Sequence, residues 1–210
     1  AASAGFSAMI TANNHNCDCG IEGLYSTADD VKRCGMKNIG TLGDNPVMVN
    51  VNGINAAIIA CTMISNGTEG SLGLAGVNPN GAYSREYFTE LVNCARSMGA
   101  EYIVAFMHWG AMNTPRVRKH QLDEAQFIAD AGADLIVGSH PHLIQRFSWL
   151  RSADGRRVPC AYSLGNMLSA MSEIDGNRDG AVLRAELRRE NGAILTRVSY
   201  IPCMTEDRSW

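Results

Sequence analysis

The sequence lacks a strong charge of either sign. Eighteen Lys and Arg stand against 21 Asp and Glu, a formal net charge of −3 over 210 residues. No basic stripe exists to neutralise a nucleic-acid backbone, and no polybasic run to hold an anionic membrane. Long apolar runs are also missing. The longest are of strand length, well short of the roughly 20 residues a spanning helix needs. No secretory leader pattern, internal repeat, low-complexity tract or long linker is present in these residues. A soluble chain is therefore expected. Aromatics make up only 7% of it, but the hydrophobic fraction of 46% is enough to build a core. That excludes disorder as the main state, and the length suits one domain over residues 1–210.

Cysteine is abundant instead, with seven in the chain: Cys17, Cys19, Cys34, Cys61, Cys94, Cys160 and Cys203. The odd count leaves at least one outside any internal disulfide. Cys17-Asp18-Cys19 does not have zinc-finger spacing, and no second pair stands at a fixed distance. Most of the seven sit in apolar runs, where cysteine packs as a small hydrophobe. Reduced packing residues are expected, and a disulfide scaffold is not.

The elements read as alternating strands and helices. Two β-rich runs, Val47–Val51 and Ile54–Thr62, are joined by Asn52-Gly53, a hairpin signal. Ser84–Met98 has apolar residues at helical spacing, with Ser84 as N-cap and Gly99 as stop. Glu101–Met107 and Ala133–Val137 read as buried strands, with a helix over Val117–Ala131 closed by Gly132 between them. Later strands are expected at Ala161–Leu164, Ala181–Leu187 and Ile194–Ile201, the last two turned by Asn191-Gly192. The early half is βα-like and the late half hairpin-rich. That pattern suggests a sheet layered with helices, with two sheets packed face to face.

Imidazoles fall at strand ends. His108 follows the strand that ends at Met107. His140 and His142 follow the strand that ends at Val137, within Gly138-Ser139-His140-Pro141-His142. His15 follows the apolar run Ala8–Ala12 through Asn13-Asn14. In α/β sheets, sites assemble in the loops beyond strand carboxyl ends. Neutral imidazole is a ligand for zinc, manganese or iron. A His-x-His loop brings two rings close, with Gly138 permitting a tight backbone and Pro141 fixing it. Each has a plainer reading when taken alone. A single strand-end histidine can be a packing residue, and Asn14-His15 a turn. Three glycine-framed histidine loops in order are hard to explain as packing. His120 lies in a charged helical stretch and reads as a surface residue.

These residues resemble a known family. Ala12-Asn13-Asn14-His15 with Asp18 and Gly20, Met107-His108-Trp109-Gly110, Ala131-Gly132-Ala133-Asp134 leading into Gly138–His142, and Tyr162-Ser163-Leu164-Gly165-Asn166 look like the bacterial capsule-synthesis CapA family. That family includes the PgsA-type poly-γ-glutamate synthesis proteins. It is similar in turn to calcineurin-like metallophosphatases. The resemblance implies an α/β fold, a metallophosphatase-like layered α/β-β-α sandwich, here without its first strand segment. It implies divalent metal ions, with Mn, Zn and Fe as the candidates. Asn14, His108 and His140 would then ligate one metal, His142 would reach the other, and His15 would be the acid that protonates a leaving oxygen. Two cations would clamp a phosphoryl or acyl oxygen and activate water. Asp18 would support a histidine. Trp109, Ser163 and Asn166 would line the pocket, and Asp134 would be structural.

Departures from the family pattern qualify this. The family's opening Gly-Asp strand and its Asn-Leu-Glu segment do not precede Ala1. The site is therefore expected to be short of carboxylates and to hold one cation weakly, or none. Ala111-Met112-Asn113-Thr114 replaces a segment that often carries Glu, and Cys17 and Cys19 flank Asp18 in place of an apolar and an aromatic residue. Three function classes follow. One is a metal-dependent hydrolase or transferase of a phosphoester or γ-glutamyl bond. Another is a non-catalytic part of a polymer synthesis and export complex with membrane synthase subunits as partners. The third is a metal-incomplete module. An anionic polymer or a phosphorylated small substrate is the expected partner, and nucleic acid is not. Arg116, Arg118 and Lys119, and Arg146, Arg151, Arg156 and Arg157, are two basic runs that could meet a polyanion. Solvated surface charge explains them equally. The resemblance places the parent protein at the cell surface, though seven cysteines fit poorly with an oxidising exterior.

Overall fold

The structure is a computed structural model that describes residues 1–67, 78–171 and 174–206. Contacts divide the chain into two compact units. The first comprises Ala1–Asn50 with Asn55–His108, and the second Val51–Ile54 with Trp109–Trp210.

The first unit is built from β-α-β pieces. Strand β1 (Ala8–Ile10) leads through helix α1 (Gly20–Arg33) to β2 (Lys37–Ile39). β1 and β2 pair in parallel with Ile10 opposite Ile39. Sequence patterning assigned no element to residues 20–39. Helix α1 buries Leu24 and Ala28, one turn apart on its apolar face. The hairpin β3 (Val47–Val51) and β4 (Ile54–Thr62) forms as expected. Asn52 and Gly53 both take positive φ (51° and 81°), which a two-residue primed turn demands. β4 runs parallel to β5 (Tyr102–His108) by way of helix α2 (Arg85–Ser97). The Ser84 side chain accepts from the Tyr87 N–H as N-cap, and Gly99 takes a φ of 88° just past the helix end. The core gathers Ile59, Phe88, Leu91, Val92, Ile103 and Met107, all buried.

In the second unit, helix α3 (Lys119–Asp130) precedes β6 (Leu135–Ser139). Next come β7 (Phe147–Arg151) and β8 (Arg157–Ala161), in the order β6-β8-β7. β6 and β8 are parallel, and β7 and β8 antiparallel. β7 was not anticipated, because its alternation is inverted: Ser148 and Leu150 are the more covered residues, and Phe147 and Trp149 the exposed ones. β8 ends at Ala161, where a strand starting at Ala161 was expected, and it holds Pro159 opposite Trp149. Strands β9 (Asp179–Glu190) and β10 (Ala193–Met204) form a twelve-residue antiparallel ribbon turned at Asn191-Gly192. Among the described residues no helix is long and apolar enough to cross a membrane.

Candidate functional site

Four of the five histidines fall into one cluster in each unit. In the first, the loop after β1 is pinned by buried hydroxyls and amides. Thr11 donates to Asn38 Oδ1 at 2.7 Å and lies 2.8 Å from the Thr41 hydroxyl. Asn13 Oδ1 then accepts the His15 N–H at 2.8 Å, an Asx turn that sets the direction of the next two side chains. Asn14 turns inward and is 7% exposed. Its Oδ1 lies 2.9 Å from His108 Nε2 at the end of β5, 94 residues away in sequence. Its Nδ2 donates to Asn66 Oδ1 at 2.9 Å.

His15 turns outward, and its side chain keeps 67% of its surface exposed. Its Nδ1 lies 2.7 Å from Asp18 Oδ2 and 3.2 Å from Asn66 Nδ2. These contacts compete, since one ring nitrogen cannot donate to a carboxylate and accept from an amide together. The shorter, charge-assisted contact wins. Nδ1 therefore carries the proton toward Asp18, and Nε2 is left to face solvent. Asn66, absent from the sequence reading, is placed between Asn14 and His15. No motif announces it.

In the second unit, His140 and His142 both take positive φ (95° and 57°), a region that non-glycine residues seldom occupy. Such strain persists where surroundings enforce it, and it clusters at functional sites. Their ring centroids stand 6.1 Å apart, so the His-x-His loop does bring the rings close. His140 is 8% exposed. Gly138 has no room for a side chain: a Cβ would lie 2.0 Å from Tyr162 O and 2.4 Å from Trp109 Nε1. Its role is close approach. Trp109 is wholly buried and donates to Tyr162 O at 2.9 Å, so its ring supports the loop from the core.

His142 Nδ1 lies 2.9 Å from Asn166 Oδ1, which assigns the proton to Nδ1 and frees Nε2. Asn166 Nδ2 donates to Asn177 O, and Asn177 Nδ2 to both His142 O and Asn113 Oδ1. Asn177 is fully buried and its Oδ1 has no partner among the described residues, so this network carries an unmet acceptor there. Asn113 and Asn177 went unnoticed in sequence. Ser163 is buried and its Oγ accepts the Gly165 N–H at 3.3 Å, a turn contact.

Several residues are structural. Asp134 accepts from Arg156 Nη1 at 2.8 Å, and the same guanidinium reaches Ala129 O and Ala133 O. His120 is exposed on α3. None of the seven cysteines is disulfide-bonded. Burial pushes the Cys61 thiol up to about 12 and raises that of Cys160, so both are inert packing groups. Cys19, Cys34 and Cys94 are exposed.

The donor chemistry suits a divalent cation in part. Two ligand atoms about 2.1 Å from one ion and at right angles stand about 3.0 Å apart, the spacing of Asn14 Oδ1 and His108 Nε2. The same spacing is a hydrogen bond when Nε2 carries a proton. Among the described residues, no group of three or more His, Cys, Asp or Glu converges in metal-holding geometry.

The layered α/β fold of this chain has counterparts among solved structures. One solved structure with this likeness is the Thermus thermophilus sulfate thiohydrolase SoxB in complex with glycerol. It superposes with a TM-score of 0.55 at 19% identity, over 94% of this chain and 33% of that one. The profile of the bacterial capsule synthesis protein family PGA_cap matches residues 1–171, and the chain belongs to that family. It is 30% identical over 204 residues to the capsule biosynthesis protein CapA of Bacillus anthracis, covering 91% of this chain and 47% of that protein. It is also 30% identical over 193 residues to the PGA biosynthesis protein CapA of Bacillus subtilis (strain 168), covering 88% and 48%. The chain thus spans about half the length of these relatives.

Proposed function

We propose that this chain carries a metal-dependent site of capsule or poly-γ-glutamate biosynthesis that cleaves or transfers a phosphoester or γ-glutamyl bond. The convergence of Asn14 Oδ1 and His108 Nε2 from distant segments carries this reading. Asn14 and His108 would hold a divalent cation, and His140 and His142 are ligand candidates by family likeness. Mn, Zn and Fe are the candidates. Such an ion supplies Lewis-acid polarisation of the phosphoryl or acyl oxygen. His15 holds its Nδ1 proton on Asp18 and presents Nε2, the atom that would pass a proton to the leaving oxygen. Asn166 keeps His142 in the tautomer whose Nε2 lone pair is available. The polymer handled is anionic, and the setting in the parent protein is the cell surface.

The test is titration of the purified chain with Mn²⁺, Zn²⁺ and Fe²⁺ by calorimetry. Turnover of p-nitrophenyl phosphate and of γ-glutamyl p-nitroanilide is followed in parallel. Wild type should take up one of these ions, and Asn14→Ala and His108→Ala should each lose more than the ~10–100-fold in affinity typical of outer residues. Equal uptake by both variants and wild type refutes the ligand assignment.

A further inference from the structure

We propose that the outer face of the β7–β8 hairpin is a docking surface for a carboxylate-bearing polyanion, polyglutamate in particular, gripped by Arg151 and Arg157. The proposal rests on the reading that the polymer handled is anionic, and it is independent of metal binding.

β7 is the edge strand of its sheet. An edge strand with one covered face normally turns polar residues outward. Here Phe147, Trp149 and Arg151 face outward, while Ser148 and Leu150 are the more covered. The register sets Phe147 opposite Ala161, Trp149 opposite Pro159, and Arg151 opposite Arg157. Directly opposite residues share a face, so two rings and two guanidinium groups stand on one side of the hairpin. The rings meet edge to face at 5.7 Å. Covering Ala161 and Pro159 does not use them up: Phe147 is still 40% exposed and Trp149 43%.

The arginines carry the argument further. Like charges directly opposite each other across a ladder are unfavourable. The Arg157 guanidinium lies 4.8 Å from the Trp149 ring centroid, on the face that also carries Arg151. Among the described residues no acidic side chain forms an ion pair with Arg151 or Arg157. Arg156, their neighbour in sequence, is by contrast committed to Asp134 and Asp154. An anion shared by these two guanidinium groups would turn the repulsion into attraction.

The occupant follows from chemistry. Planar guanidinium forks match carboxylates in bidentate fashion. The exposed ring surface suits the methylene stem between successive carboxylates. The chain's net charge is −3, so its overall field does not recruit a polyanion and capture needs a local patch.

The test measures binding of fluorescently labelled poly-γ-glutamate to the whole chain by anisotropy, at low and at physiological salt. Wild type should bind, more tightly at low salt. Arg151→Gln/Arg157→Gln should weaken binding by about tenfold or more. Trp149→Leu should weaken it less. Arg116→Gln/Arg118→Gln, which alters the other basic run, should leave it unchanged. All these positions are on the surface, so melting temperatures should match wild type. No binding by wild type, equal loss in both double variants, or equal competition by dextran or polyphosphate would overturn the proposal. Metal uptake is read on the same samples. Its loss in wild type counts against the catalytic reading alone, and its retention in Arg151→Gln/Arg157→Gln separates the two.

Discussion

The two histidine clusters are built on different principles. In the first unit, Asn14, His15, Asp18, Asn66 and His108 hold one another by side-chain contacts, and the backbone of the loop follows an ordinary Asx turn. In the second, the backbone is strained at His140 and His142, and the support comes from a core floor and buried amides. The first cluster can lose a member and keep its fold. The second is part of the packing that makes its unit, so a substitution there reaches stability before it reaches chemistry.

Gly138→Ala breaks this contrast most sharply. The added methyl meets Tyr162 O at 2.0 Å and Trp109 Nε1 at 2.4 Å, and neither atom is the free end of a flexible side chain. Overpacking typically costs about 1–3 kcal/mol and more where backbone must move, so a loss of about 3 kcal/mol or more is expected. Urea unfolding followed by tryptophan fluorescence measures it. A change below about 1 kcal/mol would mean that the floor beneath the His-x-His loop is soft.

Much of this was legible in sequence, and the reasons are physical. The turns at Asn52-Gly53 and Asn191-Gly192 and the Ser84 cap are local chemistry, and each appears where the residues put it. The histidine loops were legible because their neighbours in sequence frame them. Asn66, Asn113 and Asn177 were not, because each acts on a side chain or loop tens of residues away. Helix α1 carries a helical apolar stripe that the sequence reading does not pick out, and β7 turns its aromatics the wrong way round for a one-sided strand. The inverted strand carries Arg151, which faces Arg157 on β8.

A middle-sized effect is expected at Asn66. Its Oδ1 accepts a hydrogen bond from Asn14 Nδ2 and so keeps Asn14 Oδ1 turned to His108. Asn66→Ala should lower metal affinity about 10–100-fold, the usual range for an outer partner, while Asn66→Asp, which keeps an acceptor, should restore much of it. Thermal stability should hardly move in either. Calorimetric titration with Mn²⁺ or Zn²⁺ reads the first, and a melting curve the second. If affinity falls only as far as stability does, the first cluster is as structural as the second and the contrast between them collapses.

The smallest effect tests the contrast from the other side, at an exposed turn of the second unit. The Ser152 hydroxyl and then the Arg156 guanidinium hold the Asp154 carboxyl at about 2, below its ordinary value of 3.8. A carboxyl depressed on folding adds stability above its ordinary value, and that contribution fades as pH falls through the folded value. The window is therefore pH 4 down to 2. Asp154→Asn should flatten the acid limb of a melting-temperature profile in that window, lying slightly below wild type at pH 7 and meeting it near pH 2; the offset is small because the group is exposed and screened. Arg156→Ala should act differently. That guanidinium also ties Ala129 O, Ala133 O and Asp134, so its loss should lower stability at every pH. If the two variants behaved alike, the strength of the second unit would lie in surface ion pairs. If they diverge as expected, it lies in side chains bonded to backbone, the same device that holds the His142 loop through Asn177.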